Sequence, residues 1–229
     1  MNFRSIYFLA FSLFLLSATQ NHSDRSTAFK DNDEGQSSKV FALKLPEIID
    51  FAGEVVPIEF PDIKERFDKE LLVNTYWQSN MLLLLKRANK YFPLIETILE
   101  EEGIPDDFKY LAVIESALEN ARSPKGAKGF WQIMPNTGRE YGLEVNANVD
   151  ERYHLEKSTR VASSYLIKAK KRLGSWTLAA ASYNRGMSGI SRLLKKQLAD
   201  NYYDLLLNNE TNRYIFRILA VKEIMSHPD

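Results

Sequence analysis

The chain has 229 residues, 45% of them hydrophobic, enough to bury a full core in one domain or in one domain plus an extension. Lys+Arg and Asp+Glu balance at 30 each, so there is no basic footprint of a nucleic-acid binder and no acidic tail. Cysteine is absent and the three histidines, His22, His154 and His227, are too scattered for zinc spacings, so neither disulfides, a metal nor another cofactor is expected.

Asn2 to Arg4 give a short basic start, and Ile6 to Leu16 an apolar run too short to cross a bilayer comfortably but fitting the core of a secretory signal. With Ser17, Ala18 and Thr19 offering cleavage points, residues 1–19 read as a signal peptide and the protein as exported, to the periplasm or cell envelope. An uncleaved membrane anchor is the alternative; with no cysteine after the run, a lipid-modified N-terminus is excluded. Residues 20–56 read as a linker rich in Ser, Asn, Asp and Lys followed by an extended arm, in which Pro46 and Pro57 punctuate short apolar pieces. The main domain is expected over 57–229.

After Pro61 the pattern is helical. Asp62 is placed to cap a helix through Phe67, Leu71 and Leu72, and Asn80 another through Leu83, Leu84 and Arg87. Pro93 opens a third that Gly103 closes, and Pro105 starts the next, with Asp106 and Asp107 in its first turn. Residues 121–129 (ARSPKGAKG) form a tight loop. Further helices are expected over Ser158 to Leu173, Trp176 to Asn184, Ser188 to Leu198 and Thr211 to Met225. The basic group Lys168, Lys170, Lys171 and Arg172 reads as a solvated helix face. No segment alternates like a paired strand for long, so the fold class is mainly α, with a short irregular or β-like segment between Lys125 and Gln132.

One side chain disturbs this pattern. In the run from Phe108, Glu115 falls three and four residues after Ala112 and Leu111, on the same face as the apolar stripe. A carboxylate on an apolar face should hold its proton near neutrality, as a general acid must. A Glu at a helix edge tied to an Arg or Lys fits the same spacing.

Three further islands accompany Ile114-Glu115-Ser116. They are Gly129-Phe130-Trp131-Gln132-Ile133-Met134-Pro135, Ala181-Ser182-Tyr183-Asn184-Arg185-Gly186 and Glu210-Thr211-Asn212-Arg213-Tyr214-Ile215. In this order and spacing they resemble the four motifs of the lysozyme-like soluble lytic transglycosylase domain family, most closely its membrane-bound lytic transglycosylase D type. The resemblance runs from about Pro57 to Pro228. It implies a goose-type lysozyme-like helical domain acting on peptidoglycan glycan strands, with no nucleic acid or metal involved and other cell-wall proteins left open as partners.

The family cleaves the β-1,4 bond between N-acetylmuramic acid and N-acetylglucosamine without consuming water. One Glu protonates the glycosidic oxygen, then takes the proton from the muramyl 6-hydroxyl as it attacks the anomeric carbon, giving a 1,6-anhydro sugar; most glycosidases instead use two carboxylates. By motif position Glu115 is that group. Ser116 either hydrogen-bonds near it or packs against the next turn. Gln132 and Met134 line the cleft, Gln132 as a donor to sugar. Phe130 and Trp131 either stack on pyranose rings or join the core, with core favoured for one. Tyr183 and Asn184 hold the acetamido group and orient the carboxylate, and Tyr214 brings its hydroxyl close to Glu115. Glu210 is either a substrate contact or a structural ion-pair partner.

Two departures from the commoner pattern are Phe130 in place of Leu and Arg185 in place of a small residue, the latter placed to narrow the cleft or meet a peptide stem. A muramidase would use the same Glu with a second, water-activating carboxylate, for which Glu119, Glu140 and Asp150 are the loose candidates. A non-catalytic peptidoglycan-binding protein is the third reading, against which the intact set Glu115, Gln132, Tyr183, Asn184 and Tyr214 stands.

Overall fold

The computed structural model describes residues 45–75 and 78–227. The expected signal peptide and most of the linker lie outside the described residues. The chain enters through a hairpin, β1 (Asp50–Phe51) and β2 (Glu54–Val55), paired antiparallel with Phe51 opposite Glu54. Its two-residue turn, Ala52-Gly53, has positive φ at both positions (54° and 76°), the arrangement whose twist matches paired strands.

Helices then follow: α1 (Pro61–Thr75), α2 (Gln78–Glu101), α3 (Lys109–Ser116), α4 (Pro135–Glu140), α5 (Leu155–Leu173), α6 (Trp176–Arg185), α7 (Met187–Gln197) and α8 (Asn209–Ser226). A mostly helical domain with a small β element is what the sequence led us to expect. The irregular segment is a pair of bridges, Arg122 with Lys128 and Lys128 with Ile133.

Several boundaries differ from expectation: Asn80, expected as a cap, lies inside α2, and α5 starts three residues ahead of Ser158. Pro93 does not open a helix but lies inside α2, which begins at Gln78. Proline removes the bond to the Asn89 carbonyl, yet Pro93 is exposed, so water can satisfy that group. Meanwhile Leu84, Ala88, Ile95, Ile98 and Leu99 form one buried stripe that holds both halves in line. The approach to α3 is likewise not one helix from Pro105: Asp106–Phe108 form a 3-10 turn before the α-helix starts. α4 escaped notice because it spans six residues, too few for a period to register.

The core closes around α8, whose Ile215, Phe216, Ile218, Leu219 and Ala220 are all fully buried. α1 lies along it through Glu70, a buried carboxylate that receives Arg213 at 2.5 and 3.0 Å. The N-terminal hairpin belongs to the same core: Ile49, Phe51 and Val56 are buried, and Phe51 meets Phe108 edge-on at 5.1 Å.

Glu54 fixes the hairpin to α6. It accepts from the backbone N–H of Trp176 and Thr177 (2.6 and 2.9 Å), from the Ser175 and Thr177 hydroxyls (2.6 and 2.7 Å), and from Lys170 at 3.0 Å. It thus supplies from 120 residues away the negative charge that a helix N-terminus favours. Partial burial pushes its pKa up, but these hydrogen bonds prevail and bring it down to about 2.

Because that pKa lies below the value of 4.5 for a free Glu, the charge stabilises the fold above pH 4.5 and the contribution is lost as pH falls toward 2. Replacing Glu54 with Gln is expected to lower unfolding free energy by about 1 kcal/mol at pH 7, the scale of a lost helix cap. Urea denaturation of both proteins should show the difference shrinking between pH 4.5 and 2.

Candidate active site

Glu115 stands in the last turn of α3, an eight-residue helix whose Tyr110, Leu111, Ala112 and Val113 are buried. The chain reverses directly after it, with Ala117 and Leu118 both left-handed (φ 54° and 56°). Each such non-glycine residue costs roughly 1–2 kcal/mol, offset here by complete burial of the Leu118 side chain. Ser116 secures the reversal: its hydroxyl donates to the Ala112 carbonyl at 3.2 Å and accepts from the Glu119 N–H at 3.3 Å. Arg87 closes it from outside, donating to the Ala117 carbonyl at 3.1 Å and pairing with Glu119.

Burial drives the Glu115 carboxyl up, to about 7, against the hydrogen bond that Tyr214 donates to its Oε1 and the nearby positive charge of Arg217, which pull the other way; the charge of Glu210 adds a small upward push. Tyr214, 2% exposed, projects from α8. Three residues on, Arg217 donates to the Ile114 carbonyl at 3.2 Å and so holds the backbone beside the carboxylate. Nothing in the sequence around Arg217 announces this contact, which only the packing of α8 against α3 creates.

The loop between α3 and α4 forms one wall. At Gly129 (φ 80°) a Cβ would lie 2.0 Å from the Arg152 carbonyl oxygen, so no other residue fits. Arg152 is buried and gathers the loop, donating to the Gly126 and Ile133 carbonyls (2.8 and 3.0 Å) and to both oxygens of Asp150. The side-chain N–H groups of Gln132 go to the Ala121 and Gly129 carbonyls (3.1 and 2.9 Å), not outward as a sugar donor would point them. Phe130 and Trp131 are both core, 4% and 0% exposed; Trp131 donates to the Thr159 hydroxyl at 2.8 Å. Met134 is exposed on the cleft at the start of α4.

The opposite wall comes from α6 and α8. Tyr183 donates to the Trp131 carbonyl at 2.8 Å, tying α6 to the loop, and its hydroxyl is kept protonated by burial and by the neighbouring Glu115. Asn184 accepts from the Thr211 hydroxyl at 2.8 Å and donates to Glu210 at 3.1 Å. Glu210 itself is exposed at the rim. Tyr214 is thus the side chain bonded to Glu115, with Tyr183 as a neighbour. Gln132, Met134, Tyr183 and Asn184 line a cleft of about 620 Å³ that continues along α5 and the start of α7. Among the described residues no group of three or more His, Asp or Glu side chains could hold a metal ion.

The remaining carboxylates weighed for a second catalytic role are committed elsewhere. Glu119 pairs with Arg87 and Glu140 with Lys168 at 3.0 Å. Asp150 is held far below the usual carboxylate range by Arg152, with Lys128 assisting against slight burial.

A helical domain carrying a carboxyl that burial raises to about 7, with its neighbour Tyr183 on the wall of a cleft, is of the lysozyme-like class. Residues 94–205 match the family described as the Transglycosylase SLT domain, and the chain carries such a domain. It is 30% identical over 186 residues to membrane-bound lytic murein transglycosylase D of Escherichia coli (strain K12), and equally to that of Escherichia coli O6:H1 (strain CFT073). Each alignment takes in 77% of this chain and 40% of the relative, so the chain spans about two-fifths of the length of these relatives.

The raised pKa of Glu115 has a sign that calorimetry or denaturation can read. Between pH 4.5 and 7 the folded protein keeps a proton that the unfolded chain releases, so its stability falls across that window. Glu115→Gln removes this penalty. The variant is expected to match wild type near pH 4 and to exceed it by on the order of 3 kcal/mol at pH 8; equal stability at both would mean the carboxyl is not strained. Tyr214→Phe deletes the donor that favours the anion, so the alkaline limb of the pH–activity profile should move upward while the rate at its maximum falls at least tenfold.

Proposed function

We propose that the chain is a peptidoglycan lytic transglycosylase in which Glu115 alone serves as acid and then base. The observation that carries the reading is a carboxyl raised to about 7 and oriented by a tyrosine hydroxyl, a group that can both give and take a proton near neutrality. Glu115 gives its proton to the glycosidic oxygen as the bond to the muramyl anomeric carbon breaks. The N-acetyl oxygen stabilises the electron-poor carbon. Glu115, now a carboxylate steadied by Tyr214 and Arg217, takes the proton of the 6-hydroxyl while that oxygen bonds to the anomeric carbon. The leaving sugar gains a hydroxyl, the muramyl end becomes a 1,6-anhydro ring, and no water is used.

In this reading Asn184 and Tyr183 shape the pocket for the acetamido group, Met134 contacts the sugar face, and Ser116 and Gln132 brace the backbone around the cleft. Glu210 holds Asn184 and completes the rim. The substrate class is glycan strands, and the leader expected over residues 1–19 supports export to the periplasm or cell envelope. No helix among the described residues is long and apolar enough to cross a membrane.

A hydrolytic muramidase would use the same carboxyl with a second carboxylate on water, a role for which Glu119, Glu140 and Asp150 are each already ion-paired. Mass spectrometry of muropeptides released from purified peptidoglycan separates the two. Products lighter by one water than the reducing-end sugars, absent with Glu115→Gln, are expected. Reducing-end products would make the protein a muramidase, and no release would leave a binding protein.

A further inference from the structure

We propose that the cleft beside Glu115 is a subsite for the peptide stem of the strand, and that Arg185, with Arg172 beside it, binds a carboxylate of that stem. The inference rests on the peptidoglycan reading above. It starts from the charge of the cleft. Its lining contains three cations, Lys168, Arg172 and Arg185, against one carboxylate, Glu140. Glu140 is occupied by Lys168 at 3.0 Å. Among the described residues neither arginine pairs with a carboxylate, and the contact of Arg172 is a 3.5 Å approach to the Ser188 hydroxyl.

Arg185 is also given a bed. Gly186 (φ 82°, ψ 140°) adopts a backbone conformation essentially restricted to glycine, turning the chain sharply from α6 into α7. Arg185 then lies across the first turn of α7, over Gly189: a Cβ there would stand 3.2 Å from the Arg185 Cγ and 3.9 Å from its Cδ and Nε. A bare glycine lets the stem run flat and carry the guanidinium into the cleft. One residue earlier, Asn184 is fixed at the rim of the Glu115 site through Thr211 and Glu210. The cation is therefore placed one residue from the proposed acetamido pocket, on the wall that continues away from Glu115.

The ligand follows from size and chemistry. A guanidinium fork matches a carboxylate with two parallel hydrogen bonds. Two sources of carboxylate exist on such a strand: the peptide stem, and the lactyl group exposed when the stem has been removed. A volume of about 620 Å³, with Ile133, Met134 and Met187 as apolar surface, accommodates several amino-acid residues and is far larger than a lactyl group needs. The stem is the occupant that fills it.

The experiment compares kcat/KM on peptide-bearing strands with that on strands stripped of peptide by an amidase. Wild type should favour peptide-bearing strands. Arg185→Met should lower that preference about tenfold, through KM, the scale of one exposed charge-assisted contact. Arg185→Lys should restore part of it, and Gly189→Ala, which pushes the arginine stem aside, should shift it in the same direction as Arg185→Met by a smaller factor. An unchanged preference in Arg185→Met overturns the proposal, whether the rates stay the same or fall equally on both strand types, and so does a loss confined to stripped strands, which would assign Arg185 to the lactyl carboxylate. Cleavage of neither strand by wild type would instead bring down the peptidoglycan reading itself.

Discussion

A hydroxyl on α8 and a carboxylate on α3, 99 residues apart in sequence, meet in the interior of this protein. The hydrogen bond from Tyr214 to Glu115 sets the requirement that the surrounding elements satisfy. α8 must be central so that a tyrosine can reach α3; α3 must stop at Ser116 so that the chain can reverse into the loop that forms one wall of the site; Arg217 must grip the Ile114 carbonyl so that the turn does not drift. The burial that raises the pKa of Glu115 is the same burial that keeps the Tyr214 hydroxyl a donor. Glu115 helps keep the Tyr214 hydroxyl protonated, while the hydrogen bond from Tyr214 tempers the rise that burial imposes on Glu115.

Much of this could be read from the chain because helices of this size declare themselves through an apolar period. Glu115 was conspicuous for breaking that period on the wrong face, and the Tyr214 hydroxyl was anticipated beside it. What stayed hidden depends on contacts distant in sequence. Pro93 carries a strong local stop signal, and it is overruled by a buried stripe on the far side of the helix. Gln132 has the chemistry of a sugar donor, but the loop takes its N–H groups for the Ala121 and Gly129 carbonyls. Phe130 and Trp131 have the shape of a stacking platform and prove to be core, because Thr159 offers the indole a partner in the interior. Arg217 and Arg152 look like ordinary surface cations in sequence. Nothing local says that one will brace the acid and the other will gather a loop.

The N-terminal hairpin illustrates how little sequence a structural role requires. Two strands of two residues could not persist alone, yet Phe51 enters the core and Glu54 caps α6, the helix that ends in Tyr183, Asn184 and Arg185. Lys222 completes the attachment, joining the Asp50 carbonyl at 3.0 Å to Asp107 at 2.7 Å, while Asp107 accepts from the Ala52 N–H at 2.7 Å. The segment that looks like an approach to the domain thus steadies both the start of α3 and the start of α6.

The acid-depressed anchors, Glu54 at the hairpin and Asp150 at the cleft loop, have a consequence for how the molecule experiences its surroundings. Both surrender their charge only in strong acid, whereas Glu115 exchanges its proton near neutrality. The anchors and Glu115 therefore titrate in separate regions of the pH axis. A mildly acidified compartment would protonate Glu115 without loosening these two anchors, and a mildly alkaline one would ionise it while they still hold.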